Sequence, residues 1–213
     1  MGVHHPRCIL LTMPSYLTLA LGLVAAWAWA QPGSAEAKEP APTPPRFELT
    51  TRTVEIPERG VVTNLVLCIA RQAFSFLPPE DWKLGLEEAE SKVKWQSPDL
   101  SRLLTLKIVP GQTDGRPVLK LDRLRQTVLQ RFPGAAVTEE FTCYTSGESG
   151  PAFDLRYVVQ ESFNLCTRVA FVAFPGGEVE FSLTTPAEDF AKSHLVFGNL
   201  LNSFKIEPLP RKD

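Results

Sequence analysis

FNLCTRVAFVAFPGGEVEFSLTT, residues 163–185, is the stretch that decides the fold. Over residues 178–183 apolar and polar side chains alternate, which is the period of a half-buried β-strand. The preceding run Val169–Phe174 is apolar at both alternating sets of positions, so it predicts an inner strand that is covered on both faces. Pro175-Gly176-Gly177 separates the two runs, and a short glycine-bearing break of this kind is typical of a β-hairpin.

Strand patterns continue on the N-terminal side of this hairpin. Four consecutive strands are predicted, and the turns between them are short. Short connections place consecutive strands side by side in antiparallel order, which makes the group a meander. The predicted strands are Ala136–Tyr144, Ala152–Gln160, Asn164–Phe174 and Glu178–Thr184.

An amphipathic helix is predicted from Pro117 to Phe132, just before the meander. Its apolar residues recur at spacings of three and four, proline suits the first helical turn, and Pro133-Gly134 follows the end. The charged residues in and just before this helix are all basic except for the single acid Asp122. They indicate either a docking face for an acidic partner or simply a solvated basic face, and the sequence leaves both open. The basic residues are Arg116, Lys120, Arg123, Arg125 and Arg131.

A second helix is predicted to begin at Thr185, directly after the meander. Thr185 and Glu188 form a T-x-x-E capping box, with Pro186 at the first helical position. The apolar stripe that follows, from Phe190 to Phe204, is too hydrophobic to face solvent and predicts a helix lying across the sheet. Residues 204–206 are then expected to add a short strand.

The N-terminal part of the domain is predicted to be β-structure. Phe47–Glu55 is expected to form an edge strand that is able to pair with another chain, and Val61–Phe76 a strand in two pieces. Lys92–Gln96 and Leu103–Val109 predict a second hairpin. Pro78-Pro79 is expected to end the second piece of Val61–Phe76, and Trp82 is expected to fold onto the sheet.

Residues 1–30 have the features of a secretory signal peptide. Ile9–Ala30 is apolar, and Ala28-Trp29-Ala30 predicts cleavage before Gln31. An uncleaved membrane anchor is the alternative, because the apolar run approaches the length of a membrane span. Residues 31–45 form a Pro/Ala-rich linker that buries nothing, and residues 46–213 form the folded domain. The protein is therefore expected to be exported, to the periplasm or beyond the cell.

Composition and motifs exclude several kinds of function. The net charge of −2 does not indicate binding to nucleic acid, which requires an excess of basic residues. There is no P-loop and no G-x-G-x-x-G sequence. After removal of residues 1–30 the one remaining histidine is His194, which cannot make a zinc cluster and is expected to be a packed residue. No cofactor, metal or catalytic residue is assigned.

Two acidic clusters and one loop are the catalytic candidates in the sequence. Glu87, Glu88 and Glu90 are expected to be solvated loop residues. Glu139 and Glu140 point to opposite faces of a strand, so they do not form a carboxylate pair of the kind that acid–base catalysis or calcium binding requires. Gly147-Glu148-Ser149-Gly150 is superficially similar to a nucleophile elbow, but it lies in a hairpin loop rather than in a strand-to-helix turn.

Three cysteines remain after removal of the signal peptide: Cys68, Cys143 and Cys166. An exported protein can oxidise a pair of thiols. Cys143 and Cys166 fall on the first and third strands of the meander, about 9–10 Å apart, whereas a disulfide needs Cα atoms within about 7 Å. The meander therefore predicts that these two residues are not bonded to each other.

The order of elements is hairpins, helix, four-strand meander and amphipathic helix, with FSFLPPEDWK at residues 74–83 and HLVFGNLLNSFKI at 194–206. This order resembles the PsbP-like superfamily over residues 70–208. The superfamily includes the extrinsic photosystem subunit PsbP, a Ran-binding import factor and exported bacterial proteins. The resemblance implies an α+β fold, in which an antiparallel β-sheet has helices packed on its faces. It also implies a binder or assembly factor rather than an enzyme, and some bacterial relatives chaperone apolar segments.

Three hypotheses of function follow. The leading one is an exported, non-catalytic binding or assembly module with a protein partner. The alternative is a chaperone-like binder of hydrophobic segments, which requires an exposed apolar strip. The second alternative is a carboxylate-based hydrolase, which requires a concave site with at least two acids of displaced pKa. Binding residues stay unassigned, and membrane contact is expected only if the N-terminal segment is uncleaved.

Overall fold

The computed structural model describes residues 47–57, 60–69, 72–112, 115–160 and 162–208. The predicted signal peptide and linker lie outside the described residues. Within these ranges the chain forms β1 (Glu48–Ile56), β2 (Gly60–Ile69), β3 (Gln72–Phe76), β4 (Lys83–Glu87), a 3₁₀ turn (Glu88–Glu90), β5 (Lys92–Gln96), β6 (Leu103–Pro110), α1 (Leu121–Arg131), β7 (Ala136–Tyr144), β8 (Ser149–Val159), β9 (Phe163–Phe174), β10 (Gly177–Pro186), α2 (Phe190–Ser203) and β11 (Lys205–Pro208).

The larger sheet has seven antiparallel strands in the order β4-β5-β6-β10-β9-β8-β7. The predicted meander is therefore confirmed, with β7 to β10 side by side in chain order. The predicted hairpin of β5 and β6 is confirmed as well, and β6 pairs with β10 from Leu103 to Pro110. Residues Val169–Phe174 of β9 are all buried, as the apolar run predicts for an inner strand.

A second sheet of four antiparallel strands has the order β1-β2-β3-β11. The sequence predicted most of the strands of this second sheet but not that they form a sheet of their own. Strand pattern alone does not say which strands share a sheet, and here β2 and β3 pair with each other and with β11 instead of extending the meander. Strand β1 lies at an edge, and residues 205–208 form a strand, both as predicted.

The main hydrophobic core joins the two sheets and α2. Phe204, which follows α2, is fully buried at its centre. Its ring stacks on those of Phe74 and Phe76 at 6.0 and 6.3 Å between centroids and meets the edge of Phe181 at 4.9 Å. Aromatic pairs at such distances add to the stabilisation that comes from burial of their surface. One side chain thus links the four-stranded sheet to β10 of the larger sheet.

A smaller buried cluster lies on the other face of the seven-stranded sheet. Helix α1 contributes Leu124 and Val128 to it, and strands β8 and β9 contribute the remaining buried residues: Phe153, Leu155, Val169 and Phe171. The apolar stripe predicted for α1 therefore faces the sheet, apart from Leu121 in the first turn, which is 45% exposed.

Both helices begin later than the sequence predicts. Thr185 and Pro186 continue strand β10, where Thr185 is fully buried and pairs with Cys166 of β9. Helix α2 starts at Phe190 after Asp189, and no side chain caps it. The expected capping box was wrong because an interior strand position offers Thr185 a ladder of backbone hydrogen bonds and burial. Helix α1 starts at Leu121 rather than at Pro117.

Strand β4 was not predicted, and its last residue was expected to lie in a loop. Glu87 is its last residue, and Glu88–Glu90 form the 3₁₀ turn. The pattern Lys-Leu-Gly-Leu-Glu does alternate with a period of two, but a five-residue run with glycine at its centre is a weak strand signal.

Replacement of Phe204 by alanine is expected to lower the free energy of unfolding by about 3–5 kcal/mol, because it leaves a cavity between the sheets. Urea unfolding monitored by circular dichroism measures this change. Leu195→Ala on the exposed side of α2 is the matched control and is expected to change the same quantity by no more than about 0.5 kcal/mol. Equal losses in the two variants would contradict the central place given to Phe204.

Candidate functional site

His194 lies on α2 with its ring edge-on to that of Phe190, 4.8 Å between centroids. Its Nε2 is buried and has no hydrogen-bond partner among the described residues. Burial lowers the pKa of the imidazole, and the positive charge of Arg168 lowers it further. A general base must reach the nucleophile that it activates, and in the described part of the chain no serine or cysteine bonds to this ring. His194 packs against Phe190, in agreement with the structural role expected for it.

A buried ion pair lies beside this histidine. Arg168 of β9 donates to both carboxylate oxygens of Asp154 on β8, from Nε at 2.7 Å and from Nη2 at 2.6 Å. The guanidinium also lies 4.6 Å from the ring centroid of Phe141 on β7 and 5.5 Å from that of Phe190 on α2. Both charges are therefore neutralised, and the cation joins three strands and a helix.

This pair was not predicted from the sequence. Asp154 interrupts the apolar strand β8 between Phe153 and Leu155, and Arg168 directly precedes the apolar run of β9. A charge in an inner strand requires a buried partner, so the sequence at each of these positions indicates a buried ion pair. The pairing itself depends on the register that sets Asp154 opposite Arg168.

The acids of the first cluster are held by lysines. Glu87 accepts hydrogen bonds from Lys92 at 2.6 Å and from Lys94 at 2.5 Å, and these bonds lower the pKa of its carboxyl to about 2. Glu90 lies 3.5 Å from Lys92. A carboxylate held in its charged form by two cations is poorly suited to donate or accept a proton near neutral pH.

In the second cluster, Glu140 pairs with Arg125 of α1 at 3.1 Å, while Glu139 is exposed. One further acid pair was not singled out from the sequence: Glu178 and Glu180, two residues apart on one face of β10. Glu180 binds both terminal nitrogens of Arg131. Burial, followed by the charge of Glu180, raises the pKa of Glu178. Since Arg131 binds the carboxylate of Glu180, the two acids are not both free to face one substrate.

The loop with a superficial likeness to a nucleophile elbow is a tight hairpin turn. Gly147 has φ +121°, a conformation that favours glycine, and Glu148 pairs with Arg116. Ser149 is the first residue of β8, and among the described residues no histidine or carboxylate bonds to it. The turn joins β7 to β8, so a structural role is the one its geometry supports.

The three cysteines are free thiols in the structure. Burial raises the pKa of Cys143 and of Cys68, which disfavours the reactive thiolate. Cys143 and Cys166 lie on β7 and β9, separated by β8, so the strand order from which their separation was predicted is confirmed.

Three of the five basic residues of the α1 region bind acids of the meander. Arg116 pairs with Glu148, Arg125 with Glu140 and Arg131 with Glu180. These three residues therefore attach the helix region to the sheet. The two alternatives, a docking face for an acidic partner or a solvated face, stay predictions for Lys120 and Arg123. A shallow cavity of about 400 Å³ on the flank of α1 contains a single acid and is lined by Asp122, Arg125, Gln126, Leu129 and Gln130.

Several exposed apolar side chains of the meander lie at the end of the β8–β9 hairpin, and Tyr144 at the end of β7 is 67% exposed. Phe163 and Val159 face each other across the hairpin and are 63% and 38% exposed. Tyr157 and Leu165 form the next pair on the same face and are half-buried. We call these four residues the hairpin strip. The ring of Phe132, after α1, lies 5.4 Å from that of Tyr157. The strip was missed because Phe163 was assigned to the turn.

Within the described ranges, no group of three or more His, Cys, Asp or Glu side chains is placed to hold a metal ion. None of the helices in these ranges is long and apolar enough to cross a bilayer.

No protein-family model matches this chain, and no curated protein matches its sequence. Similar solved structures include a cyanobacterial PsbP (CyanoP) from Synechocystis sp. PCC 6803, with 16% identity over 63% of this chain and 86% of that one and a TM-score of 0.47. LpqN of Mycobacterium tuberculosis, described as involved in cell envelope biogenesis, has 12% identity over 75% and 92% and a TM-score of 0.48. A protein from Bacteroides thetaiotaomicron has 16% identity over 66% and 46% and a TM-score of 0.43. A PsbP protein is thus among the similar structures, as the sequence resemblance predicts, and the likeness concerns fold alone.

Replacement of Arg168 by methionine is expected to lower the free energy of unfolding by about 3–5 kcal/mol, because it leaves the buried charge of Asp154 without a partner. The control is Arg125→Met, which breaks the exposed pair with Glu140 and is expected to cost about 0–1 kcal/mol. Urea unfolding of both variants gives the comparison. An Arg168 variant as stable as the Arg125 variant would show that the buried pair does not hold the strands and α2 together.

Proposed function

We propose that this chain is an exported, non-catalytic binding or assembly module, and that the hairpin strip is its binding surface. The observation that carries the proposal is the exposure of Phe163 and Val159 as a directly opposed pair at the end of a hairpin. An isolated exposed apolar residue needs no explanation, but a contiguous apolar strip on a soluble domain usually marks an interaction site.

The state of the acids supports binding rather than hydrolysis. A carboxylate-based hydrolase needs two acids that face one substrate and differ in pKa. In the described part of the chain Asp154, Glu87 and Glu180 are each bound by basic side chains, which leaves Glu178 as a single acid of raised pKa. These pairings stabilise the fold. The hairpin strip is therefore a stronger candidate for the functional surface than the acids are.

The ligand that fits the strip is an apolar segment of a partner protein. The strip presents two aromatic and two aliphatic side chains in two adjacent cross-strand pairs, and the hairpin ends in polar residues such as Gln160 and Ser162. An apolar core with a polar rim is the usual anatomy of a protein interface. The same surface serves a chaperone-like binder of hydrophobic segments, and the two functions differ in whether the bound segment is unfolded.

Phe163→Ser is expected to weaken binding of a fluorescent Val/Phe-rich peptide roughly 10- to 100-fold, since an interfacial aromatic side chain contributes about 1.5–3 kcal/mol. Fluorescence anisotropy measures the affinity, with a polar peptide of equal length and charge for comparison. Val118→Ser is the control, because Val118 is 83% exposed and precedes α1, away from the hairpin tip. Equal affinity for the two peptides, or equal losses in the two variants, would refute the assignment of the strip.

We propose export from the pattern of residues 1–30, followed by a linker that suits a tether or spacer. When the full chain is produced in a bacterial host, N-terminal sequencing of the exported protein is expected to start at Gln31. Ala28→Leu is expected to block cleavage, because the processing site requires small residues. Full-length protein confined to the cytoplasm would contradict export, and full-length protein in the membrane would favour the uncleaved anchor.

A further inference from the structure

Strand β4 leaves an apolar edge on the seven-stranded sheet. Leu84 and Leu86 are 42% and 44% exposed, whereas Trp95 and Val93, their partners on β5, are 1% and 0% exposed. The apolar face of the sheet therefore continues for one strand beyond the point where the rest of the fold covers it. The outer backbone edge of β4 is also unpaired in the described part of the chain.

The sequence of β4 is complementary to itself. It reads Lys83-Leu84-Gly85-Leu86-Glu87. In an antiparallel pair centred on Gly85, each Leu84 lies opposite Leu86 of the partner subunit, and each Lys83 lies opposite Glu87 of the partner subunit. Both contacts are favourable cross-strand pairs, and the two-fold axis forms each of them twice.

We propose that a second copy of this chain pairs with β4, so that the two seven-stranded sheets join edge to edge across a two-fold axis at Gly85. The partner strand would cover both exposed leucines and satisfy the free backbone groups of the edge. Formal charge around the junction is balanced on each subunit. The basic residues are Lys83, Lys92 and Lys94, and the acidic residues are Glu87, Glu88 and Glu90.

Gly85 suits the centre of this junction. The side chain of Lys94 extends across Gly85 and binds Glu87. Its Cε lies 2.8 Å from the position that a Cβ on Gly85 would occupy. The two glycines that meet at the axis therefore add no side chain of their own on the face where the lysines lie. A five-residue strand buries less surface than a permanent dimer needs, so we expect a reversible dimer with a dissociation constant in the micromolar range or weaker.

The other edge strands are less suited to self-pairing. Full antiparallel overlap of β1 sets Arg52 opposite Arg52 of the partner subunit, which is a like-charge contact. Strand β7 has a register irregularity between Val137 and Glu139, and a bulge next to exposed acids blocks an edge. Strand β11 has four residues and ends in Pro208, which has no backbone N–H to donate.

The test is charge exchange between two variants of the purified protein, followed by sedimentation velocity over a range of concentrations. Lys83→Glu sets two acids opposite each other, and Glu87→Lys sets two lysines opposite each other. Each variant alone is expected to dimerise about tenfold more weakly than the wild type, or not at all. An equimolar mixture restores both opposite-charge pairs and is expected to dimerise again. Lys120→Glu, on an exposed residue beside α1, is the control and is expected to match the wild type.

A second measurement keeps the inference testable if Glu87→Lys unfolds, since Glu87 also binds Lys92 and Lys94. Gly85→Cys is expected to form a disulfide with its own copy under mild oxidation, because directly opposed residues in an antiparallel pair lie about 4.5–5.5 Å apart. The exposed Val118→Cys variant is expected not to do so, and peptide mapping identifies the linked residues. A wild-type monomer at every concentration overturns the proposal, as does a dimer indifferent to Lys83→Glu. Neither result bears on peptide binding by the hairpin strip.

Discussion

Burial of β9 on both faces is the constraint on which the rest of the structure depends. Residues Val169–Phe174 expose almost nothing, and a strand that is apolar on both sides needs a cover on each side. One cover is α1, through Leu124 and Val128. The other is built from α2 and the four-stranded sheet, with Phe204 between them. The apolar pattern of this one strand therefore requires a cover from α1 on one face and from α2 with the second sheet on the other.

Charged side chains fix how these covers sit on the sheet. Arg131 of α1 binds Glu180 of β10, and Arg168 of β9 lies between Phe141 and Phe190 while it binds Asp154. A buried pair adds little net stability, because desolvation opposes its attraction, but the loss of one partner is costly. Such pairs therefore favour one arrangement of helix on sheet over others. When the basic residues of a helix are already paired with acids of the same chain, their positive charge does not indicate an acidic partner.

Much of the fold could be predicted because the decisive signals are local and periodic. The β9–β10 hairpin follows from alternation and from Pro175-Gly176-Gly177. The start of α2 could not be predicted, because a capping box contributes about 1 kcal/mol and loses to the pairing and burial of Thr185 in the sheet. The candidate site was harder still. The exposure of Phe163 depends on where α1 ends, and the pair of Asp154 with Arg168 depends on register, neither of which a pattern of residue types contains.

The dimensions of the covers explain why the exposed apolar residues lie at the periphery. A helix about 10 Å wide covers about two strands spaced 4.8 Å apart, and the buried cluster under α1 draws on β8 and β9 alone among the strands. On that face the uncovered strands β5 and β6 carry Lys92, Lys94 and Lys107, as solvent exposure requires. On the opposite face the same strands carry buried Val93 and Leu106, and the apolar pattern runs on into β4 without a cover. Strand β4 thus has the alternation of an interior strand in an edge position, and a strand with that pattern is more stable with a neighbour on each side.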